Sequence, residues 1–455
     1  MRPTCLNDLN VIHIAGSKGK GSTAALTASM LSQFLDAKLA PTKIGVFVSP
    51  HVRTIRERIR IIAGPVAEGN DWLISEEQFA KYVIEVWNML QQHHSSGAIV
   101  QLPSFFLFLL AVAIHAFASD CVDTVILECG IGGEFDATNM VDRPLVSAIT
   151  TLELEHTDIL GTSLESIAWH KSGIMRRGVP IFTIPQHVEA QTELERRAEE
   201  KGAVLTVVDS PATEADVTAG AWHALNVALA RRLALTLLTR LRGDSGMSHS
   251  EIESRLGTGA RQKGLPGRFE IRHAGTSSWY IDGAHTLQSV AKAAEWFSAC
   301  TRARRAHARI LLYNQEGRET THMLSLLHSR LDGDGAGLTH VLMSSNSPFT
   351  TNSFSAETQS MLRKLDPHGE KRNYQEKNAA IWASLCGDTR PKIYTFATLR
   401  EAVEYVRTEF LIIGARVDCL ATGSLHLVGG LGLVLDELCK NLSSEIGIPT
   451  CSAKR

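Results

Sequence analysis

The chain lacks a charge of one sign. Its 455 residues carry 46 Lys and Arg against 48 Asp and Glu, a formal net charge of −2. No single-signed field would therefore draw nucleic acid or an acidic membrane surface. It also lacks paired cysteines. The eight (Cys5, Cys121, Cys129, Cys300, Cys386, Cys419, Cys439, Cys451) are scattered with no CxxC, which predicts reduced thiols rather than disulfides or a structural zinc. The residues before Val11 show neither an apolar signal core nor an Arg-rich amphipathic pattern, so no targeting segment is expected. One run could mimic a membrane span: Leu102 to Ala118 has no formal charge. Yet it contains His115, its nearest basic residues are Lys81 and Arg143, and positive flanks are missing. The run reads as a buried helix with Pro103 near its first turn.

What the chain has is glycine placed between apolar runs and helical patterns. That is the signature of an α/β fold with mainly parallel strands, and the length allows two or three domains. The clearest strands are 11–15, 44–48, 124–129, 145–150, 279–281 and 310–313. The polar stretch 243–264 shows no apolar period and reads as a linker, which divides the chain into domains 1–264 and 265–455. Residues 366–378 read as a surface loop and the tail beyond Asn441 as frayed.

The segment from Val11 to Thr23, VIHIAGSKGKGST, carries the most chemistry. A short apolar run enters a glycine turn with two lysines, and Ser22 and Thr23 open an alanine-rich helix. Backbone N–H groups of Gly16, Lys18, Gly19, Lys20 and Gly21 would face an anion, Lys20 would neutralise it, and Ser22 would reach a Mg²⁺ on the phosphates. The spacing departs from the strict phosphate-loop pattern, because Gly21 separates Lys20 from the hydroxyl. Glu128 ends an apolar strand beside a second glycine turn with Asp136, Thr138 and Asn139, where a carboxylate suits Mg²⁺. Farther on, Thr162-Ser-Leu-Glu165 is a capping box that predicts a helix starting near Ser163. Leu164, Ile167, Ala168 and Lys171 fall on one face of it, so Lys171 sits on a stripe that should be buried. It must either snorkel outward or have a partner. His156, just before that helix, is a candidate metal ligand.

The second half repeats the theme with polar turns at strand ends. Arg268 follows Pro266-Gly267, Asp282 and His285 leave one strand, and Asn314 leaves another with Arg318 behind it. Ser424 and His426 follow a third apolar segment. Each turn alone is compatible with ordinary turn chemistry.

Taken in order, HIAGSKGKGST, SPHVRTIRERIRI, PSFF, ECGIGGEFDATN, LEHTDILGTSLESIAWHKSGI, LPGRFEI, DGAHT, YNQEGR and ATGSLHLVGG resemble the folylpolyglutamate synthase family of the Mur ligase superfamily, in its eukaryotic, fungal form. The likeness runs from about Leu9 to about Leu435. It implies a P-loop ATP-binding domain followed by a smaller Rossmann-like domain, and ATP-dependent addition of L-glutamate to the γ-carboxylate of a folate through an acyl phosphate. By that resemblance Lys20, Lys171, Asp282 and His285 are catalytic, and Asn226, Arg268, Asp282 and His285 join the glycine loop on ATP. Ser49, Glu128, His156, Ser22 and a carbamylated Lys171 hold one or two Mg²⁺, with a place for a monovalent cation. Phe105 and its PSFF segment lie near the folate, while Asn314, Arg318, Ser424 and His426 take the incoming glutamate. A cytoplasmic monomer acting on small molecules is expected, with no nucleic acid and no membrane span; a mitochondrial form is left open. Two rival expectations stand beside this one. A dihydrofolate synthase would run the same chemistry on dihydropteroate. A nucleotide-binding relative impaired in catalysis would follow if the several dozen residues that the family carries ahead of its first strand are needed.

Overall fold

The computed structural model describes residues 6, 8–35, 39, 41–64, 72–209, 221–243, 246–261, 265–315, 320–332, 337–349, 374–387 and 391–446, with the backbone alone at 221–222 and 440–446. The chain divides into two compact units. One comprises Met1–His51, Arg56–Val217 and Ala221–Gln262; the other comprises Val52–Ile55, Thr218–Gly220 and Lys263–Arg455. Each is an α/β unit built on its own sheet, in agreement with the fold class read from the sequence.

The first unit holds seven strands: β1 Asn10–Ala15, β2 Ile44–Phe47, β3 Ile59–Ile62, β4 Thr124–Glu128, β5 Val146–Ile149, β6 Pro180–Thr183 and β7 Val204–Val207. Their order is β3-β2-β4-β1-β5-β6-β7, parallel except for the antiparallel β2–β3 pair at one edge. Side chains alternate across the sheet, so Ile12 and Ile14 of β1 enter one core. They join Leu26 and Met30 of helix Lys20–Ser32 and Leu229, Leu233 and Leu237 of helix Ala221–Arg242. The opposite face near β1 and β5 packs Ala15, Cys129, Ile149, Ala168 and Leu194. Because β1 is central with β4 and β5 beside it, the turns leaving these three strands share one crevice, the usual place for a ligand in an open α/β sheet.

The second unit holds β8 Glu270–Ala274, β9 Ser277–Ile281, β10 Ala308–Tyr313, β11 His340–Ser344, β12 Lys392–Phe396 and β13 Val417–Thr422. The order is β12-β11-β10-β13-β9-β8, again parallel but for the β8–β9 edge. Alternation divides its core in two. Trp279, Ile281, Leu312 and Cys419 face one side, and Tyr280, Leu311, Tyr313 and Leu420 the other.

Several expectations need correction. The stretch 243–264 is not all linker: His249–Ala260 is a helix, capped by Ser248, whose hydroxyl accepts from Glu251 N at 3.2 Å. It packs on helix Lys20–Ser32, with Ser29 Oγ donating to Gly259 O at 2.8 Å and Leu256 buried in the first core. Its apolar face is sparse, which is why no period was legible. Tyr374–Asn378 is helical rather than loop, within Tyr374–Leu385; residues 366–373 of that expected loop lie outside the described residues. The last helix, Leu425–Ile446, runs past Asn441, and residues 447–455 lie outside the description. The uncharged run does form a helix, Phe105–Ser119, with Ser104 at its N-cap position and Pro103 immediately before it. It buries Leu109, Leu110, Ala113 and Phe117 and leaves Phe105 and Leu107 exposed. Among the described residues no helix is long and apolar enough to cross a membrane. Cys121, Cys129, Cys300, Cys386 and Cys419 are free thiols. Cys439, by contrast, is disulfide-bonded, a matter of Cα proximity that sequence spacing does not reveal.

Truncating Leu256 removes a buried side chain from the seam between the two helices. Leu256→Ala should cost about 2–4 kcal/mol, read as a lowered urea midpoint for the first unit's transition.

Candidate active site

The glycine loop follows β1 and opens helix Lys20–Ser32 without a side-chain cap. Gly16 has φ 144° and lies against β5's exit: a Cβ there would meet Thr150 Oγ1 at 1.9 Å. Ser17 N and Lys18 N donate to Thr151 O at 2.8 and 3.2 Å, and Ser17 Oγ to Glu153 O at 2.9 Å, so the loop is stitched to the segment after β5. Two lysines converge on it. Lys20 Nζ donates to Gly16 O at 2.8 Å and Ser17 O at 3.3 Å. Lys171 Nζ, 1% exposed, donates to the same Gly16 O at 2.8 Å and to Glu155 Oε1 at 2.9 Å. Lys171 therefore does not snorkel. It ends helix Leu164–Lys171, whose cap is Ser163 (its hydroxyl accepts from Ser166 N at 3.1 Å) rather than the Thr162 of the expected box.

The charges explain one another. Burial, then the nearby Lys20 ammonium, push Lys171 down to about 8, against the pull of Glu155. Burial pushes Glu155 up, but Lys171, Lys20 and Lys18 outweigh it and hold the carboxyl below its ordinary value. The segment LELEH gave no sequence signal for Glu155; its importance comes from Lys171, which reaches it across 16 residues of chain.

Glu128 leaves β4 3% exposed, and its Oε2 accepts from Ser49 N at 3.0 Å. Asn226, 5% exposed on helix Ala221–Arg242, accepts at Oδ1 from Thr23 Oγ1 at 3.4 Å. These contacts bring Ser49 to Glu128 and Asn226 to the helix that follows the loop. His156 is set apart: it is exposed, at φ 48°, heading the single turn Thr157–Leu160. Among the described residues no three His, Cys, Asp or Glu side chains are grouped to hold a metal ion. Phe105 is 50% exposed, with the Arg58 guanidinium 5.5 Å from its ring centre.

A buried network behind the loop was missed. His13, wholly buried on β1, has Nε2 2.8 Å from Thr138 Oγ1 and 3.2 Å from Cys129 Sγ. Thr138 Oγ1 donates to Asp136 Oδ1 at 2.5 Å, so toward His13 it accepts, which fixes the Nε2–H tautomer. Asp136 in turn accepts from the N–H groups of Gly130, Ile131 and Thr138 and shapes the turn after Glu128. On the far side of that turn, Gly173 packs backbone to backbone: a Cβ would meet Glu134 N and Cα at 2.2 Å.

In the second unit the turn Gly267–Phe269 is tied to the end of β9. Asp282, 3% exposed, accepts at Oδ2 from Phe269 N at 3.0 Å, and Gly283 N donates to Gly267 O at 2.9 Å. Arg268 sits within this tie. His285 is exposed and its Nδ1 lies 2.9 Å from Gly283 O. Asn314, 1% exposed at the end of β10, is 3.4 Å from Asn378 Nδ2. Ser424 Oγ accepts from His426 N at 3.1 Å at the end of β13. Adjacent strands thus present Asn314, Ser424 and Asp282 at one end of the sheet. Arg318 lies outside the described residues.

A lysine-lined glycine loop on a parallel sheet, with a buried carboxylate at the neighbouring strand end, defines a P-loop phosphate-handling enzyme. The chain is 35% identical over 446 residues to a folylpolyglutamate synthase of Neurospora crassa, covering 95% of this chain and 82% of that one. It is 35% identical over 452 residues to one of Saccharomyces cerevisiae, covering 95% and 78%. It belongs to the folylpolyglutamate synthase family, ATP-dependent ligases that join L-glutamate to the γ-carboxylate of folates. No family model matches it. The fold is shared with the crystal structure of the Thermotoga maritima folylpolyglutamate synthase (TM-score 0.69, 22% identity, 95% of this chain and 90% of that one). Escherichia coli FolC in complex with DHPP and ADP is similar too (TM-score 0.67, 21% identity, 96% and 91%).

His13 makes the unit sensitive to acid. Burial, then Arg176, lower it from 6.5 to about 3. Between those values the unfolded chain binds a proton that the folded chain refuses, so stability falls as pH drops from 6.5 toward 3, by up to about 1.4 kcal/mol per pH unit. Denaturant titrations at pH 7, 6 and 5 should show a slope in the wild type that His13→Gln lacks.

Proposed function

We propose that the chain binds ATP at the glycine loop, phosphorylates the γ-carboxylate of a reduced folate and passes the acyl group to the amine of L-glutamate. The observation that carries this reading is the Gly16 carbonyl shared by the Lys20 and Lys171 ammonium groups at 2.8 Å each. Two cations on one carbonyl are poorly matched, and an anion arriving between them exchanges a weak acceptor for a strong one. Phosphoryl transfer asks a protein for positioning and for neutralisation of developing charge, and this loop offers both. A ligand of this kind is in keeping with structural relatives solved with ADP and AMPPCP.

The donor set of Glu128 and the hydroxyls of Ser49 and Ser22 is all oxygen, which fits Mg²⁺, a cation that takes few protein ligands beside phosphate. When bound, Mg²⁺ would neutralise charge on the phosphate oxygens. His156 is a weaker candidate, since its ring is solvent-exposed. Lys171 as an ammonium cannot ligate a cation; as a carbamate it could. Its lowered pKa of about 8 supports that chemistry, because the neutral amine that adds CO₂ is then roughly a quarter of the population at pH 7.5. The amine forms a bond to the carbon of CO₂ and loses a proton to solvent.

For the second half of the reaction the reading assigns Arg268, Asp282 and His285 to the nucleotide and Asn314, Arg318, Ser424 and His426 to the incoming glutamate. Phe105 offers an exposed ring beside a cation, suited to a flat pteridine. The acyl phosphate is attacked by the glutamate amine, a tetrahedral intermediate forms, and its collapse breaks the acyl–phosphate bond to leave an amide and inorganic phosphate.

The test is ADP release with Mg²⁺-ATP, tetrahydrofolate and glutamate, with mass analysis of the product. Release should require both substrates and add one glutamate mass. Activity on dihydropteroate alone would instead indicate the dihydrofolate synthase reaction, and nucleotide binding without turnover the impaired relative. Lys171→Ala should lower kcat by about 10²–10³-fold. Glu128→Gln should raise the Mg²⁺ concentration for half-maximal rate roughly tenfold, read from a Mg²⁺ titration at fixed ATP.

A further inference from the structure

The two ends of the second unit's sheet differ in character. One carries the polar turns with Asn314, Asp282 and Ser424; the other displays two adjacent isoleucines. Ile412 and Ile413 are 68% and 75% exposed. Among the described residues of this unit, Tyr394 at 36% is the one other large apolar side chain left exposed. A turn ordinarily takes Gly, Asn, Asp or Ser at such places. The pair stands between the segment Arg407–Leu411 and β13, on a turn held from behind. Gly414 N donates to Leu411 O at 3.0 Å and Ala415 N to Phe410 O at 2.9 Å, while Thr276 Oγ1 donates to Ala415 O at 2.6 Å. Phe410 packs edge-on against His340, with ring centres 5.2 Å apart. The apex is thus pinned with its aliphatic side chains outward.

Around it the charge is positive. Arg416 follows Ile413 by three residues and lines a cavity of about 750 Å³ together with Arg304 and Arg305. Arg304 is committed to the fold: it donates to Tyr280 Oη at 3.1 Å and Ser278 Oγ at 3.0 Å, with Nε 3.5 Å from Asp418 Oδ1. Arg305 and Arg416 are exposed and make no ion pair with a described carboxylate. Arg302 is exposed on the same segment before β10. On the acidic side, Glu409 is exposed and Glu404 is paired with Arg407 at 2.7 Å. The net charge of −2 averages over the whole chain and hides this local excess.

Apex and arginines together select the partner. A small soluble anion would engage the arginines and leave the isoleucines in water. A protein partner would need a preformed apolar pocket to receive a convex tip, whereas a bilayer needs none. The surface of an anionic bilayer presents acyl chains and phosphates within one side chain's reach of each other, which matches an aliphatic apex ringed by guanidiniums. The orientation agrees. β9 and β13 are five and six residues long, so about 17–20 Å separates this end from the turns assigned to ligase chemistry, which stay in water.

We propose that the end of the second unit formed by residues 302–307 and 411–416 docks on an anionic lipid bilayer, with Ile412 and Ile413 among the upper acyl chains and Arg305 and Arg416 on lipid phosphates. Docking of this kind needs no membrane-spanning helix, and it does not depend on the ligase reading.

The experiment is co-sedimentation of the full chain with vesicles of phosphatidylcholine alone and of phosphatidylcholine with phosphatidylserine. Binding should require phosphatidylserine and be half-complete at lipid on the order of millimolar or below. Arg305→Ala/Arg416→Ala should weaken it roughly 25-fold, about fivefold per guanidinium. Ile412→Asn/Ile413→Asn should weaken it at least about tenfold with the arginines intact. Neither pair should change ADP release in the absence of lipid. Ile413→Trp should bind as the wild type does and gain emission that bromine-labelled acyl chains quench. No binding to the mixed vesicles would overturn the proposal, as would equal binding to both compositions. So would an asparagine pair that binds like the wild type, since the arginines would then serve a soluble anion. Retention of a single-stranded oligonucleotide through the same arginines, with vesicles ignored, would assign the surface to nucleic acid and overturn it too. Far-ultraviolet circular dichroism checks each variant's folding, and quenching of the tryptophan variant decides the outcome if either pair unfolds.

Discussion

Two ammonium groups rest on the carbonyl oxygen of Gly16, and much of the first unit is arranged so that they can. Lys20 arrives from the helix that the loop begins; Lys171 arrives from the end of a different helix. Without Glu155 the second would be a buried cation beside a like charge, an arrangement that a protein interior does not tolerate. The carboxylate is itself in position because the segment after β5 is bonded to the loop through Ser17 and Lys18. Loop, carboxylate and distant lysine thus form one electrostatic unit.

The sheet gives this unit its address. β1 delivers the loop, β4 delivers Glu128, β5 delivers the strap beneath the loop, and the three are neighbours in the order β4-β1-β5. The second unit uses the same device with β10, β13 and β9, whose ends carry Asn314, Ser424 and Asp282. In both, residues far apart in sequence become adjacent because parallel strands end on the same side. The buried hydrogen-bond chain from His13 through Thr138 to Asp136 adds rigidity beneath one of these turns, and it leaves the imidazole neutral.

Much of this was legible in the sequence where a residue's role is local. Glycine turns and apolar runs follow from spacing alone, as do six of the described strands to within a residue or two; for Lys171 the spacing gives the buried stripe and leaves snorkelling and pairing open. What stayed hidden depends on contacts between segments. Nothing in LELEH marks Glu155 until a lysine from elsewhere needs a counter-charge. His13 sits in an apolar strand, where a histidine gives no warning of a partner 125 residues away. The helix His249–Ala260 escaped because it buries little beyond Leu256 and Gly259, and its cap at Ser248 was outweighed by the polarity around it. The displaced cap of the Lys171 helix is a smaller case: two adjacent hydroxyls compete, and only the backbone geometry selects Ser163.

The backbone contact at Gly173 bears on how such a chain can diverge. Most positions around the crevice can exchange one side chain for another and let neighbours adjust. Here Glu134 leaves no volume at all for a side chain, so there is nothing to exchange and no compensating partner to mutate with it. The alignment of the Lys171 helix against the turn after β4 is written as a missing atom group. Over long drift, such a position should behave as a fixed point about which the rest of the sequence is free to turn over.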